Sequence, residues 1–464
     1  MASSLRLFQR VVKQIHCYQR NAVSLVCKRH LLSEAYSCKE AWKKYCEDPI
    51  LSKESPTDFA YQIRDRLEKS GHVSAVDVNI LAHYFHSMDE EEIEFMEDIL
   101  SKFNFCQSSY PRNDCTSHAI AMGFLTAGHS KSLLNMLTDT KNYGIIPHHI
   151  TLNMILDWFI KQEEYGNAAK LAYGSMLQED FSNPVNTLLS LHATVHYLLQ
   201  SKIEDLASPP KEKDTGEEVW VKVKYIKFPY YDDHFDIRDE RFLLGKTLML
   251  LADAQSVPVP SELRIALKVT GSGLFHKFPQ GLACLNSMAS SDDASVPEVA
   301  LIYFSDCLEK VEARDPNEPE VELALRTIDD VIHRLLPTTD EKQKYISELA
   351  QIKESLEAKG KILKDFDFKQ SVVNFVSQTL SSYENADIST LKSLFNQWTE
   401  ERKQEVNREI EEFQKNTRIE EMKKQVKELQ EQEELLRYFD LEEKLRLKFL
   451  DEDRATDKGL TISK

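Results

Sequence analysis

"GIIPHHITLNMILDWFIKQEEYGNAAKLAYGSMLQED", Gly144 to Asp180, is the stretch whose reading decides the fold. Ile155, Leu156, Phe159 and Ile160 recur at the i, i+3, i+4 spacing of a buried helical stripe. Asp157 precedes Lys161 by four residues, acid before base, an order that supports an exposed helix face. The polar run "KQEEYGN" interrupts the periodicity, and Ala168, Ala169, Leu171 and Ala172 resume it toward Met176 and Leu177. Small residues on the second helix let it approach the first closely. Pro147 marks the entry turn. The stretch predicts two antiparallel helices with a tight link, and places Phe159 or Ile160 in a core.

The pattern repeats. With Ile150 as a phase mark, similar runs begin 35 residues earlier at Cys115 and 35 residues later at Val185. A weaker unit, "ILAHYFHSMDEEEIEFMEDILSKF", begins near Ile80. Self-similarity at this period marks a solenoid of helical hairpins, in which each unit buries its stripe against its neighbours. Three to four such units are expected between about residues 57 and 205.

The central unit resembles a pentatricopeptide repeat, whose pattern reads G-x-x-P-x-x-x-T-x-N, then an apolar helix, then a helix with Ala and a late Met. Gly144, Pro147, Thr151, Asn153, Ala168 and Met176 carry that resemblance. More closely, the chain resembles the pentatricopeptide-repeat proteins of the mitochondrial ribosomal small subunit. It does so through "KRHLLSEAY" (Lys28 to Tyr36), the central repeat, "SMLQEDF" with "LLSLHATVHYLL", and "DISTLKSLFNQW" (Asp387 to Trp398). Residues 206–380 contribute little to the likeness. The resemblance implies an all-α fold and a place in the mitochondrial matrix. It also implies two kinds of partner, the small-subunit rRNA and neighbouring mitochondrial ribosomal proteins.

Composition fits a helical protein. Only 13 of 464 residues are Gly, and 42% are hydrophobic. No apolar run approaches the roughly 18 residues a membrane span needs, so no membrane partner is expected. Residues 1–33 contain no Asp or Glu, while Arg6, Arg10, Lys13, Arg20, Lys28 and Arg29 are spread along them. Leu5, Phe8, Val11, Val12 and Ile15 form an apolar face between the charges. This acid-free amphipathic start reads as a mitochondrial transit peptide over 1–32, with removal expected between Arg29 and Ser33.

Charge argues against a generic RNA-coating protein. The net charge is −18, whereas RNA affinity comes chiefly from Lys and Arg on phosphates. Any RNA contact must use a local basic patch, and Lys131, Lys141, Lys161 and Lys170 are candidates in the repeats. The resembling repeats read a base edge with one polar residue on the first helix and another near the turn into the next unit. Asn153 fits the first position. The second falls near Val185, after Pro184, and offers no polar readout. The preceding unit pairs His118 with His148. Reading along a tract of bases is therefore not expected.

Enzymatic motifs lack their partners. "LLGKT" (Leu243 to Thr247) ends like a phosphate-binding loop, yet Glu240 stands where the leading Gly belongs. His192 and His196 share a helix face, but Ala193 occupies the position of the general base in zinc proteases. His83 and His86 form a similar bare pair. No C-x-x-C occurs among the eight cysteines. No cofactor, metal or small-molecule substrate is expected, and the chain does not read as an enzyme.

Beyond the repeats, residues 206–237 read as a polar loop with a possible short strand, "VWVKVKYIKF" (Val219 to Phe228), whose Lys222 and Lys224 are further RNA candidates. Residues 238–387 read as a helical region and 388–452 as a long charged helix, followed by a flexible tail over 453–464. In that helix Met422, Val426, Leu429 and Leu436 keep a seam, while Val406, Ile410 and Phe413 lie on another phase. The register slip favours a solvated arm with short apolar patches over a continuous coiled coil. The expected architecture is all-α: a hairpin-repeat solenoid over 33–205, further helices, and a long C-terminal helix. The expected function is a structural, rRNA-contacting component of the mitochondrial small ribosomal subunit. The alternative is a non-ribosomal pentatricopeptide factor that binds a mitochondrial transcript for processing or translation.

Overall fold

The computed structural model describes residues 31–48, 50–51, 56–85, 90–106, 109, 114–201, 237, 239–291, 295–316, 333 and 336–460. The bulk of the transit-peptide segment lies outside these residues, as do the "VWVKVKYIKF" strand with Lys222 and Lys224, and His86. The chain divides into two units, Met1–Phe395 and Asn396–Lys464.

In the first unit a 3-10 turn, Glu34–Ser37, leads into α1 (Lys39–Cys46), α2 (Pro56–Ser70), α3 (Ala75–His83) and α4 (Glu90–Asn104). Then come α5 (Asp114–Ala127), α6 (Ser130–Thr138), the single turn α7 (Thr140–Tyr143), α8 (His149–Lys161), α9 (Tyr165–Leu177) and α10 (Pro184–Gln200). The starts of α5, α8 and α10 are 35 residues apart, and so are those of α6 and α9. The repeat period read from the sequence is thus the spacing of real helices. First helices pack on first helices (α3 on α5, α5 on α8, α8 on α10) and second on second (α6 on α9). That is solenoid stacking, and it buries α5 and α10 on nearly every side.

Local chemistry explains the helix ends. Gly144 takes the left-handed φ of 60° that closes α7. Asn183 caps α10 by accepting the Asn186 N–H at 2.8 Å, with Pro184 at the first helical position. The "KQEEYGN" break becomes the tight turn between α8 and α9, where Glu163 adopts φ 61°. Phe159 and Ile160 are both buried, as their stripe requires.

The helices continue as α11 (Glu240–Asp253), α12 (Ser261–Leu274), α13 (Phe278–Ser290), α14 (Glu298–Lys310), α15 (Thr339–Ala358) and α16 (Phe368–Leu460). "LLGKT" lies inside α11, so it forms no phosphate-binding loop. Two two-residue strands, Val296–Pro297 and Ile362–Leu363, pair in parallel. Lysines finish two of the helices: Lys342 Nζ donates to Glu309 O and Val311 O beyond α14, and Lys359 Nζ donates to Ala289 O in α13. Both cations sit at the negative end of a helix dipole. Helix α16 begins at Phe368, 20 residues before the expected boundary at 388. Val372, Val376 and Leu380 form a buried stripe there that the charge-rich reading did not weight.

The second unit is the rest of α16. Its ion pairs stay within the helix, as in Arg437–Glu433 at 2.6 Å and Arg446–Glu442 at 3.2 Å. Trp398 is buried near its start, but from Ile410 onward its large apolar residues are solvent-facing, Phe413 being 73% exposed and Leu436 66%. Among the described residues, no helix is long and apolar enough to cross a membrane.

The α11–α12 crossing generates a stability prediction. A Cβ on Gly245 would lie 2.8 Å from Gly271 O and 2.8 Å from Phe275 N, both backbone atoms. Gly245→Ala is expected to force the helices apart and to cost about 1–3 kcal/mol, read as a lower midpoint in urea. Gly174, inside α9, has open space around the same position. Gly174→Ala is expected to be neutral or stabilising by up to about 1 kcal/mol. Equal effects of the two would rule out the close crossing as the cause.

Candidate nucleic-acid interface

The stacked first helices present a row of polar side chains along one face. Asn79 on α3 donates to Thr116 Oγ1 on α5 at 2.9 Å. His118 on α5 shares a hydrogen bond of 2.8 Å with Thr151 Oγ1 on α8. Asn153 follows on α8 and Asn186 on α10, both buried. This is the row on which the resembling repeats read bases.

Here segments of the same chain from outside the repeats cover it. Tyr36, from the turn before α1, and Asp387, from α16, converge on Asn153. The Tyr36 hydroxyl donates to Asp387 Oδ2 at 2.7 Å and accepts from Asn153 Nδ2 at 2.9 Å. Asn153 Nδ2 also reaches Asn183 Oδ1 at 3.2 Å and Asp387 Oδ2 at 3.4 Å. Asn183 Nδ2 lies 3.4 Å from Asp387 Oδ1. Asn153 is 0% exposed, so no base edge reaches it while these segments are in place. Its Oδ1 has no partner. Burial, with the Asp387 carboxylate beside it, raises the pKa of the Tyr36 hydroxyl, which therefore stays protonated as the donor.

An aromatic cluster seals the neighbouring part of the row. Trp42 on α1 stacks on His83 at 5.7 Å and meets His118 edge-on at 4.9 Å. Phe395 of α16 packs on Trp42, Tyr45 and His118 at 5.5–5.7 Å. Burial holds the His118 pKa down to about 3, so the ring is neutral and offers no cation to a phosphate. His148 caps α8 through its own Nδ1, accepting the Ile150 N–H. The His118–His148 pair thus serves structure.

The basic candidates differ among themselves. Lys131, near the start of α6, is exposed. Lys161 is ion-paired with Asp157 one turn back. Contrary to the exposed face expected for this pair, Asp157 is only 6% exposed and accepts the Leu32 N–H at 3.3 Å. Lys170 pairs with Glu240 at 3.1 Å. His192 and His196 stack ring on ring at 4.0 Å, with Tyr165 stacked on His196 at 4.8 Å. Among the described residues no group of three or more His, Cys, Asp or Glu could hold a metal ion.

Sequence reasoning missed Tyr36, Trp42, Asp387 and Phe395 as members of this face. A signal was present: "KRHLLSEAY" ends on Tyr36, and "DISTLKSLFNQW" opens on Asp387 and contains Phe395. Those two stretches, over 350 residues apart, are the ones that carried the family resemblance outside the repeats.

The family described as mitochondrial 28S ribosomal protein S27 aligns with residues 2–428, nearly the whole chain.

The junction makes two predictions. Tyr36→Phe deletes the hydroxyl between Asn153 and Asp387, and a hydrogen bond to a charged group is worth about 1.5–3 kcal/mol. Urea denaturation should show a loss of that size, and amide exchange in residues 384–395 should accelerate. Unchanged exchange there would mean the junction does not hold α16. The second concerns acid. His118, His192 and His276 are each held near about 3 by burial, against 6.5 when unfolded. The unfolded chain therefore binds more protons as pH falls. The stability of the neutral rings is complete above 6.5 and is lost progressively as pH drops toward 3, each ring contributing up to about 1.4 kcal/mol per pH unit. His192→Gln should move the acid-unfolding midpoint, followed by circular dichroism, to lower pH. An unmoved or higher midpoint would exclude the histidine origin.

Proposed function

The chain belongs to the mitochondrial 28S ribosomal protein S27 family, and we propose that its part in the small subunit is that of a non-catalytic scaffold whose base-reading face is closed by its own chain. The family is one of structural proteins of the mitochondrial small ribosomal subunit, and its place is the matrix. The burial of Asn153 under Tyr36 and Asp387 carries the rest of the reading. A free transcript-binding factor needs that face open, and this chain fills it.

Contact with rRNA then falls to exposed basic side chains. Lys131 in the repeats is one, and Lys222 and Lys224, which lie outside the described residues, are candidates on their sequence alone. Lysines on phosphates position a protein without reading sequence, which suits an RNA fixed within an assembly. Lys161 is a weaker candidate, because Asp157 already neutralises it. Neighbouring ribosomal proteins are met by the arm after Phe395. Its exposed Phe413, Leu436, Tyr438 and Phe449 are the apolar anchors a helix lays into a groove. The acid-free N-terminus directs import and is removed.

Crosslinking and sedimentation test this together. In a gradient of mitochondrial lysate the tagged chain should travel with the small subunit, and truncation after Glu409, which keeps the buried Trp398 and Arg402, should shift it to the top while leaving it folded. Ultraviolet crosslinking should join rRNA to the α6 surface around Lys131. A crosslink at Asn153 or Tyr36, or a chain that sediments free of the subunit with a transcript, would overturn the scaffold reading.

A further inference from the structure

The backbone amides of Leu32 and Ser33, near the start of the described residues, each meet a carboxylate. Leu32 N–H lies 3.3 Å from Asp157 Oδ1, and Ser33 N–H donates to Glu384 Oε1 at 2.9 Å. Leu32 is 2% exposed, whereas Leu31 before it is only half-buried. Asp157 is nearly as deep as Leu32, and a carboxylate at that depth calls for compensating charge. Lys161 supplies one cation. Two carboxylates thus face the Leu32–Ser33 backbone. A cavity of about 300 Å³ opens beside them, lined by Leu32, Ser33, Met122, Asp157, Trp158 and Lys161.

We propose that proteolytic cleavage between Leu31 and Leu32 creates an α-ammonium group on Leu32, which pairs with the buried Asp157 and locks the processed N-terminus onto α8. The inference rests on reading residues 1–31 as a removable targeting segment. In the cleavage, a matrix endopeptidase adds one water across the Leu31–Leu32 peptide bond. The carboxylate leaves on Leu31, and the amine of Leu32 takes up a proton at matrix pH.

Position selects this bond. A cut one residue later would remove buried Leu32 and with it the backbone nitrogen that faces Asp157. A cut further upstream would leave a neutral amide at Asp157, as in the uncut chain. Cleavage here leaves the same nitrogen in place and puts a full positive charge on the donor of a hydrogen bond in which only the acceptor was charged, turning it into an ion pair. The cavity gives the remaining N–H groups of the ammonium access to water. Because Leu32 is buried in the folded protein, the cut precedes folding, and the ion pair forms as the imported chain folds. The same nitrogen neighbours the Tyr36 junction, so processing tightens the segment that closes the base-reading face.

Two measurements decide the matter. The first is amine labelling of the protein purified from mitochondria, followed by mass spectrometry of its N-terminal peptide. Leu32 should be the first residue. A first residue of Met1 or Ala2 would refute the targeting reading itself, and any other start would refute this site alone. The second compares chains of residues 32–464, released from a fusion so that Leu32 carries either a free or an acetylated amine. Acetylation should lower Tm by about 2–4 °C, and in the Asp157→Asn chain it should make no difference. Equal Tm values for the free and acetylated chains would overturn the ion pair even if Leu32 proves to be the mature start. If Asp157→Asn does not fold, the acetylation comparison in the unsubstituted chain still decides.

Discussion

A buried asparagine amide must find partners inside the protein or destabilise it. The first unit is arranged around that constraint at Asn153. The solenoid alone cannot satisfy it, because neighbouring first helices supply only Asn183 within reach. Tyr36 and Asp387 supply further acceptors for its amino group, one from before the repeats and one from far beyond them, while its Oδ1 is without a partner among the described residues. A single polar side chain on α8 thereby ties three distant parts of the sequence together. The aromatic contacts of Trp42 and Phe395 with His118 repeat the arrangement one helix further along. Polar groups fix the register of the cover, and the rings exclude water from it. Low local dielectric strengthens such a network when satisfied and penalises it when broken.

The remainder of the first unit is held by closeness of backbones. Gly245 and Gly271 let α11 and α12 touch at main-chain distance. Phe304 packs against Gly273 and Gly281 in the same way, where a Cβ would collide. Small residues at crossings bring the large neighbouring side chains into dispersion contact. These crossings have no repeat period, so the 35-residue pattern read in the repeats does not extend into this region even though its packing is dense.

Much of this was legible in the sequence, and the reason for each part is physical. The hairpin repeat was visible because helical burial has a 3.6-residue period and a solenoid imposes a second, 35-residue one; both are local signals. The entry turn at Pro147 was visible because proline punctuates a helical pattern, while the left-handed Gly144 that closes α7 is seen in the fold. The early start of α16 was hidden because the stripe of Val372, Val376 and Leu380 lies in a segment otherwise rich in polar residues. The cover of the polar row was hidden for a deeper reason. Tyr36 and Asp387 are 351 residues apart, and no periodicity connects them. Asn153 looked like a surface reader because its position in the repeat pattern is a surface position. Its burial is decided by segments outside the repeat.

The nature of the cover also bears on what the face can bind. A phosphate backbone running along the first helices would meet Asp387 and Glu384, two carboxylates, and a neutral His118. Nucleic acid needs cations there, and the sequence has placed acids instead. The competing occupants are also unequal in concentration. The chain's own segments are covalently attached, so their binding is intramolecular and an external strand must displace them against a high effective concentration. Like charge and tethering act in the same direction. The acidic balance of the whole chain, −18, thus has a local counterpart at the one row where bases would be read. On the function proposed above, RNA contact falls to lysines elsewhere, and the ordering of this face comes from within the polypeptide.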